Sequence, residues 1–332
     1  MRFALFAGLA AFTWAAAGTS QAAEWRVQRI DTPARAMALE TVDGKAQVNA
    51  GGLWYRILFA DGTFKLAFVE APAKTPHPQD ALPDSRIAVG RRDIARAWLA
   101  EPTTRYDHGV LGDTIEAGSL VIEARDGKLH TVRLKDDAVF EDLEPRLVDL
   151  DGDGRDEIVL VKSYLKRGSS LAVIAARNGK YDIVAETPPI GRPKAWLNPA
   201  GIADFNDDGK TDIALVRMPH AVGNLELWTW VDKRLRKTGE LADTTNHIAG
   251  ARALGMAVAA DFDGDGIADI AIPSFDRNRL RILGFKPAPH EIASVTLPAT
   301  AATDIALVAG GGAPPTIAVG LSDGSLVVIR RD

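Results

Sequence analysis

The 332-residue chain contains no cysteine. That absence excludes thiol catalysis, disulfide stapling, thiolate-bound zinc and iron–sulfur clusters. It also rules out a lipidated N-terminal cysteine. Basic residues are not in excess, since 39 Lys and Arg face 44 Asp and Glu for a net charge of −5. Nothing in that balance points to nucleic acid or to an anionic membrane surface. No segment carries a long 3.6-residue apolar period, so long amphipathic helices are not expected. Nucleophile elbows, phosphate-cradling glycine loops, HExxH and Ser–Lys motifs are all missing. What is present is an ordinary globular composition, 46% hydrophobic and 25% charged, with ample material for a core.

The one long apolar run opens the chain. Met1-Arg2 is a short positive start, Phe3 to Ala17 is uncharged, and Gly18 to Glu24 is small and polar. Ser20 and Ala22 fit the small-x-small rule for cleavage after Ala22. The run is about 15 residues, short of the ~20 that span a bilayer. Residues 1–22 therefore read as a signal peptide and residues 23–332 as the mature domain, periplasmic or extracellular and not membrane-spanning. Cleavage would remove Arg2, leaving 38 basic against 44 acidic residues and a net charge of −6.

The body repeats. Asp149-Leu-Asp-Gly-Asp-Gly-Arg-Asp-Glu157, Asp204-Phe-Asn-Asp-Asp-Gly-Lys-Thr-Asp212 and Asp261-Phe-Asp-Gly-Asp-Gly-Ile-Ala-Asp269 start 55 and 57 residues apart (204 − 149 and 261 − 204). Each runs into a Val-, Ile- and Leu-rich stretch, with a second apolar run about ten residues later. Asn178-Gly179 is a hairpin turn signal. Weaker copies extend both ways, through Asp43-Gly44, Asp61-Gly62 and Asp126-Gly127 upstream and Asp323-Gly324 downstream. Prolines at 72, 76, 78 and 83 predict an extended surface loop over residues 71–86. About six units of roughly four short strands predict an all-β fold and a single β-propeller of six blades, with seven as the alternative.

The acidic loops predict a hard-cation site. Carboxylates at positions 1, 3, 5 and 9, with Gly at 6, converge on one point. The candidate ligands are Asp149, Asp151, Asp153 and Glu157, then Asp204, Asn206, Asp208 and Asp212, then Asp261, Asp263, Asp265 and Asp269. Position 7 (Arg155, Lys210, Ile267) varies freely, as expected if only its backbone carbonyl is a ligand. All-oxygen ligation with this much charge selects Ca²⁺ over Mg²⁺. An EF-hand would need Glu at position 12, where Leu160, Leu215 and Ile272 stand.

This pattern resembles the FG-GAP or VCBS repeat. The resemblance implies a β-propeller with structural Ca²⁺, at about three sites, between the first and second strands of a blade. It implies adhesion, lectin-like or assembly roles, with polysaccharide cleavage in some members. The match is specific in three units and degenerate in the others, where Val308 to Thr316 carries no acids.

If the acidic loops join strands one and two, loops between strands two and three occupy the other face. They and the inter-unit connections carry the candidate ligand-binding residues His108, Asp113, Arg167, Trp196, His220, His247, Asp276 and Arg277. The leading expectation is a non-catalytic binding module for a protein or glycan partner. The alternatives are a Ca²⁺-dependent polysaccharide lyase or hydrolase acting on that second face, and a cell-envelope assembly scaffold.

Overall fold

The computed structural model describes residues 24–73, 75–309 and 315–331. The expected signal peptide and the middle of the acid-free stretch, residues 310–314, lie outside the described residues. Among the described residues every regular element is a strand. No helix long and apolar enough to cross a membrane occurs there.

The strands follow the repeat. β1 (Trp25–Ile30) precedes the first unit, which is β2 (Ala36–Val42), β3 (Lys45–Ala50), β4 (Leu53–Ala60) and β5 (Thr63–Val69). The second unit is β6 (Ala88–Val89), β7 (Ile94–Thr103), β8 (Glu116–Ala124) and β9 (Leu129–Arg133), followed by β10 (Ala138–Phe140). The third is β11 (Arg146–Val148), β12 (Glu157–Tyr164), β13 (Gly168–Arg177) and β14 (Lys180–Glu186). The fourth is β15 (Leu197–Ala203), β16 (Asp212–Arg217), β17 (Asn224–Val231) and β18 (Arg234–Leu241). The fifth is β19 (Val258–Ala260), β20 (Asp269–Pro273), β21 (Arg279–Gly284) and β22 (His290–Thr296). β23 (Ala301–Val308), β24 (Thr316–Leu321) and β25 (Leu326–Arg331) make the sixth.

The first, fourth and fifth units are four-stranded antiparallel sheets in chain order. The sixth has only three strands of its own, and β1 supplies the fourth by pairing with β25, Trp25 opposite Arg331 and Ile30 opposite Leu326. The second and third units are not separate sheets. β11 covers only Glu157–Val159 of β12. The remaining edge, Lys162–Tyr164, pairs with β10, which also bridges through Phe140 to Ala117 of β8. One nine-stranded sheet results. The Asp43-Gly44, Asp61-Gly62 and Asn178-Gly179 turns all take positive φ at both residues, the geometry that matches the twist of a two-residue hairpin.

The inner strands are apolar at consecutive positions because both faces are buried. In β12, Ile158 and Leu160 pack with the second unit, while Val159 and Val161 pack with the fourth. In β16, Ile213 and Leu215 face the third unit and Ala214 and Val216 the fifth. The fifth and sixth units share a core around Ile282 and Ile317, and the sixth and first share one around Leu39 and Val328. Each sheet thus completes its neighbour's core.

Between the first and second units the filling is different. Residues 80–87, expected as a solvated loop, form a strap over the second sheet. Leu82 N donates to Leu99 O at 2.8 Å, and Trp98 Nε1 donates to Asp80 at 3.1 Å. Ala81 and Ile87 pack on Trp98, Ala100 and Val121. The prolines keep the segment extended, so Ala81 and Ile87 cover that face while Leu82 joins the core shared with the third unit on the other side. Leu82 is 1% exposed. Leu82→Ala is therefore expected to cost about 2–5 kcal/mol in urea unfolding, whereas a solvated loop leucine would cost less than about 0.5 kcal/mol.

Candidate functional site

Each acidic loop joins the first and second strands of its unit: β11 to β12, β15 to β16, β19 to β20. The first carboxylate organises the turn. Asp149 accepts from Gly152 N (2.8 Å) and Gly154 N (3.0 Å). Asp204 accepts from Asp208 N (3.2 Å) and Gly209 N (2.8 Å), and Asp261 from Gly264 N (2.6 Å) and Gly266 N (2.9 Å). The fifth acid takes the amide of position 7: Arg155 N on Asp153, Lys210 N on Asp208, Ile267 N on Asp265. Position 2 is an apolar plug, and Leu150, Phe205 and Phe262 are all buried. Its amide donates to the ninth carboxylate, Glu157 (2.9 Å), Asp212 (3.0 Å) or Asp269 (3.0 Å). Burial lifts the Glu157 and Asp269 carboxyls to about 7, with the other loop carboxylates pushing the same way.

Two loops gather three carboxylates. In Asp149, Asp151 and Asp153, and again in Asp261, Asp263 and Asp265, one oxygen from each residue lies within 4.8 Å of the others. Two oxygens on one Ca²⁺ at about 2.4 Å can stand no more than about 5 Å apart, so both sets fit that ion. A cavity of about 50 Å³ lies beside Asp151, Asp153 and Glu157. Glu157 and Asp269 stand outside the gathered sets. The second loop has an amide oxygen at position 3, and Asn206 Oδ1 accepts from Asp208 N at 3.0 Å. Both Asp212 oxygens are already engaged, one by Phe205 N and the other by the Thr229 hydroxyl.

Cations from other units flank these loops. Arg92 Nε is 3.7 Å from Asp149, and its Nη1 is 2.7 Å from Asp156. Lys233 Nζ is 3.9 Å from Asp151, and Lys286 pairs with Asp207. None of these partners was readable from the repeat, since each lies in another segment of the chain.

The opposite ends of the second strands carry a different group. There the structure joins four expected residues. Trp196 Nε1 donates to Glu141 O at 3.1 Å. The Trp196 and His220 rings stack at 6.0 Å and 8°. His220 Nε2 is 2.9 Å from His247 Nδ1, and His247 Nε2 is 2.9 Å from Ala251 O. The carbonyl can only accept, so Nε2 carries the His247 proton and Nδ1 receives that of His220. His108 Nδ1 is 2.5 Å from Glu141 Oε1. Glu141, fully buried, also accepts from the Ser163 hydroxyl, and Ser163 meets Ser169 at 2.6 Å. Burial raises the Glu141 carboxyl, while bonds from His108 and Ser163 oppose that rise.

Several of these residues are not free rim groups. Trp196 is 3% and His247 1% exposed, because the loops fold them under the connections between units. Arg167 lies over the Tyr164 ring at 3.9 Å. Arg277 donates to Ala301 O at 2.9 Å, and Asp276 accepts from Ser274 and Asn278. Asp113 accepts from Ile115 N (2.8 Å) and Arg252 (3.0 Å). Sequence reasoning missed Glu141. Its only signal is a carboxylate directly after the apolar run Ala138-Val-Phe140.

Residues 149–215 and 204–272 match the FG-GAP-like repeat family. The chain carries FG-GAP repeats over residues 149–272. That span contains all three acidic loops. No curated protein matches the chain.

The histidine pair should make the fold acid-sensitive. Burial, reinforced by His220, depresses His247 from 6.5 to about 4. A histidine held neutral stabilises the fold above its unfolded value, and that contribution is lost as pH falls from 6.5 towards 4. At 1.36 kcal/mol per unit the loss approaches about 3 kcal/mol. Urea unfolding between pH 7 and pH 4.5 should show a steeper decline in the parent protein than in His247→Gln. Parallel curves would refute this origin.

Proposed function

We propose that the chain is an exported, calcium-stapled six-bladed propeller that acts as a non-catalytic binding module for a protein or glycan partner. The ring reading is supported by the relay of shared cores from the second unit through the sixth to the first. It is also supported by convergence on one axis. Asp304 of the sixth unit accepts from Gly255 N at 2.8 Å and feels the charges of Arg86, Glu40 and Glu144. The terminal pairing of β1 with β25 would then close the ring. The export reading rests on residues 1–22 alone.

The calcium reading is carried by the two sets of three converging carboxylates. Without a counter-ion these charges repel one another. Asp149, Asp151, Asp153, Asp261, Asp263 and Asp265 would hold the ions. Glu157 and Asp269, seated beneath, would fix the plug residue that shapes each loop. The second loop, with an amide at position 3 and no gathered set of three carboxylates, should bind most weakly. Bound Ca²⁺ would supply charge neutralisation and cross-link the start of the second strand to the turn before it. Asp265→Ala is expected to lower the melting temperature in Ca²⁺ and to leave the EDTA value nearly unchanged. The difference corresponds to about 2.7 kcal/mol at a hundredfold excess of ion over Kd. Equal losses in both media would refute ligation by Asp265.

A second reading, catalysis at the other face, draws on His108. Its Nδ1 is oriented by buried Glu141, leaving Nε2 as the nitrogen available to a ligand. An oriented imidazole is a general-base arrangement. A uronate-polysaccharide eliminase assay on the parent and on His108→Gln separates the readings. Turnover lost with His108 would favour the lyase, and no turnover by the parent would favour the binding module.

A further inference from the structure

The outer strand of a stacked sheet presents one unpaired edge to water, and such an edge invites pairing with another chain. Three of the outer strands are guarded. The register of β14 on β13 skips Val184, that of β18 on β17 skips Thr238, and that of β22 on β21 skips Ile292. Each extra residue is a bulge that bends the edge away from a flat template. Charge adds to the guard, with Lys180, Asp182 and Glu186 on β14 and Arg234, Arg236 and Lys237 on β18.

β5 has no such guard. Its seven residues, Thr63-Phe-Lys-Leu-Ala-Phe-Val69, pair with β4 without a register shift. Lys65 is its one charge, and it bonds to Asp61 at 2.6 Å. Among the described residues β5 ends its sheet, and no other backbone segment bonds to its outer edge. The surface around that edge is apolar. Phe68 is 65% exposed, and Leu58 and Phe59 are exposed beside it. Phe68 stands edge-on to Tyr55 at 6.1 Å, and Phe59 lies 4.9 Å from Phe64.

The hairpin fixes which backbone groups are free. Asp61-Gly62 is a two-residue turn, so Ala60 and Thr63 exchange the closing hydrogen bonds, and Leu58–Lys65, Arg56–Ala67 and Trp54–Val69 follow at every second pair. The amides and carbonyls of Thr63, Lys65, Ala67 and Val69 are thereby used, and those of Phe64, Leu66 and Phe68 point outwards. An antiparallel copy of the same strand, centred on Leu66, matches that set. Leu66 then meets its own equivalent and Phe64 meets Phe68 of the copy, each pair exchanging its outward bonds. Lys65 falls opposite Ala67 of the copy, so like charges do not face each other. Each exposed Phe68 comes to lie against the Phe59–Phe64 pair of the other copy.

We propose that β5 is a self-pairing edge, through which two copies of this chain join their first units in one continuous antiparallel sheet about a two-fold axis. A second copy is the partner favoured, because the strand itself supplies both the backbone register and the matching side chains.

Sedimentation of the mature chain over a concentration series tests the edge. The expected result is a monomer–dimer equilibrium, in which Phe68→Lys weakens the dimer by about tenfold or more, since it strikes two symmetry-related contacts at once. Because Phe68 is exposed, the melting temperature of this variant should stay near that of the parent. Register is read separately. The chain has no cysteine, so a single introduced thiol reports its distance from its equivalent. Mild oxidation should cross-link Leu66→Cys across the axis. Phe68→Cys, opposite position 64 and so about 13 Å from its equivalent, should stay uncrosslinked. A parent that is monomeric throughout overturns the proposal, whether the edge then stays bare or takes up an added extended peptide. A dimer that Phe68→Lys leaves intact overturns this edge, and any other pattern of cross-linking overturns the register.

Discussion

Everything in this molecule depends on a strand that is apolar on both faces. β12, β13, β16 and β20 each bury consecutive residues on opposite sides. A sheet built from such strands cannot be stable alone, because one face would stay in water. Burying it at roughly 25 cal/mol per Å² of apolar surface demands a second sheet, and that sheet then demands a third. The relay ends only where something else covers the last face. Here the strap of residues 80–87 does so on the second unit. The N-terminal strand performs the matching task in the hydrogen-bonding direction, occupying the β25 edge that would otherwise invite pairing with another chain.

Stacking leaves the strand ends to do the chemistry. At one end the chain must turn within a few residues, and carboxylates satisfy the amides exposed by that turn. Asp149, Asp204 and Asp261 each take two of them. Position 2 drives a leucine or phenylalanine into the core, and position 9 ties its amide down. The loop is therefore shaped before any ion arrives. Its cost is a concentration of negative charge, which lysines and arginines from other segments partly offset. Because those cations are exposed, each pairing contributes little to stability.

The other end solves the problem of buried polar groups without an ion. Glu141 lies in the interior, and a carboxylate there needs donors. His108 and Ser163 provide them. Trp196, whose indole needs an acceptor, finds it on the Glu141 carbonyl, and its ring supports His220. His247 is held neutral between His220 and Ala251. These groups form a coupled polar cluster, in which removing one member leaves another unsatisfied.

The repeat period, the hairpin turns and the acidic loops were all legible in order of residues, because each is a local pattern. An Asp-Gly turn needs positive φ, an alternating acid at positions 1, 3 and 5 points its oxygens inward, and a short apolar run between turns becomes a strand. The placement of the acidic loops between first and second strands was implied by the family resemblance, and that of His108, His220 and His247 at the far ends followed from it. Three things did not. The strap looked solvated because its prolines are visible and the Trp98 face it covers is not. The fusion of the second and third units through β10 arose because β11 is too short to cover β12. Lys233 at Asp151, Lys286 at Asp207 and Arg92 at Asp149 depend on segments brought together only when one sheet stacks on the next. Local geometry is written in neighbouring residues, whereas which charge meets which across a seam is decided by packing between sheets far apart in the chain.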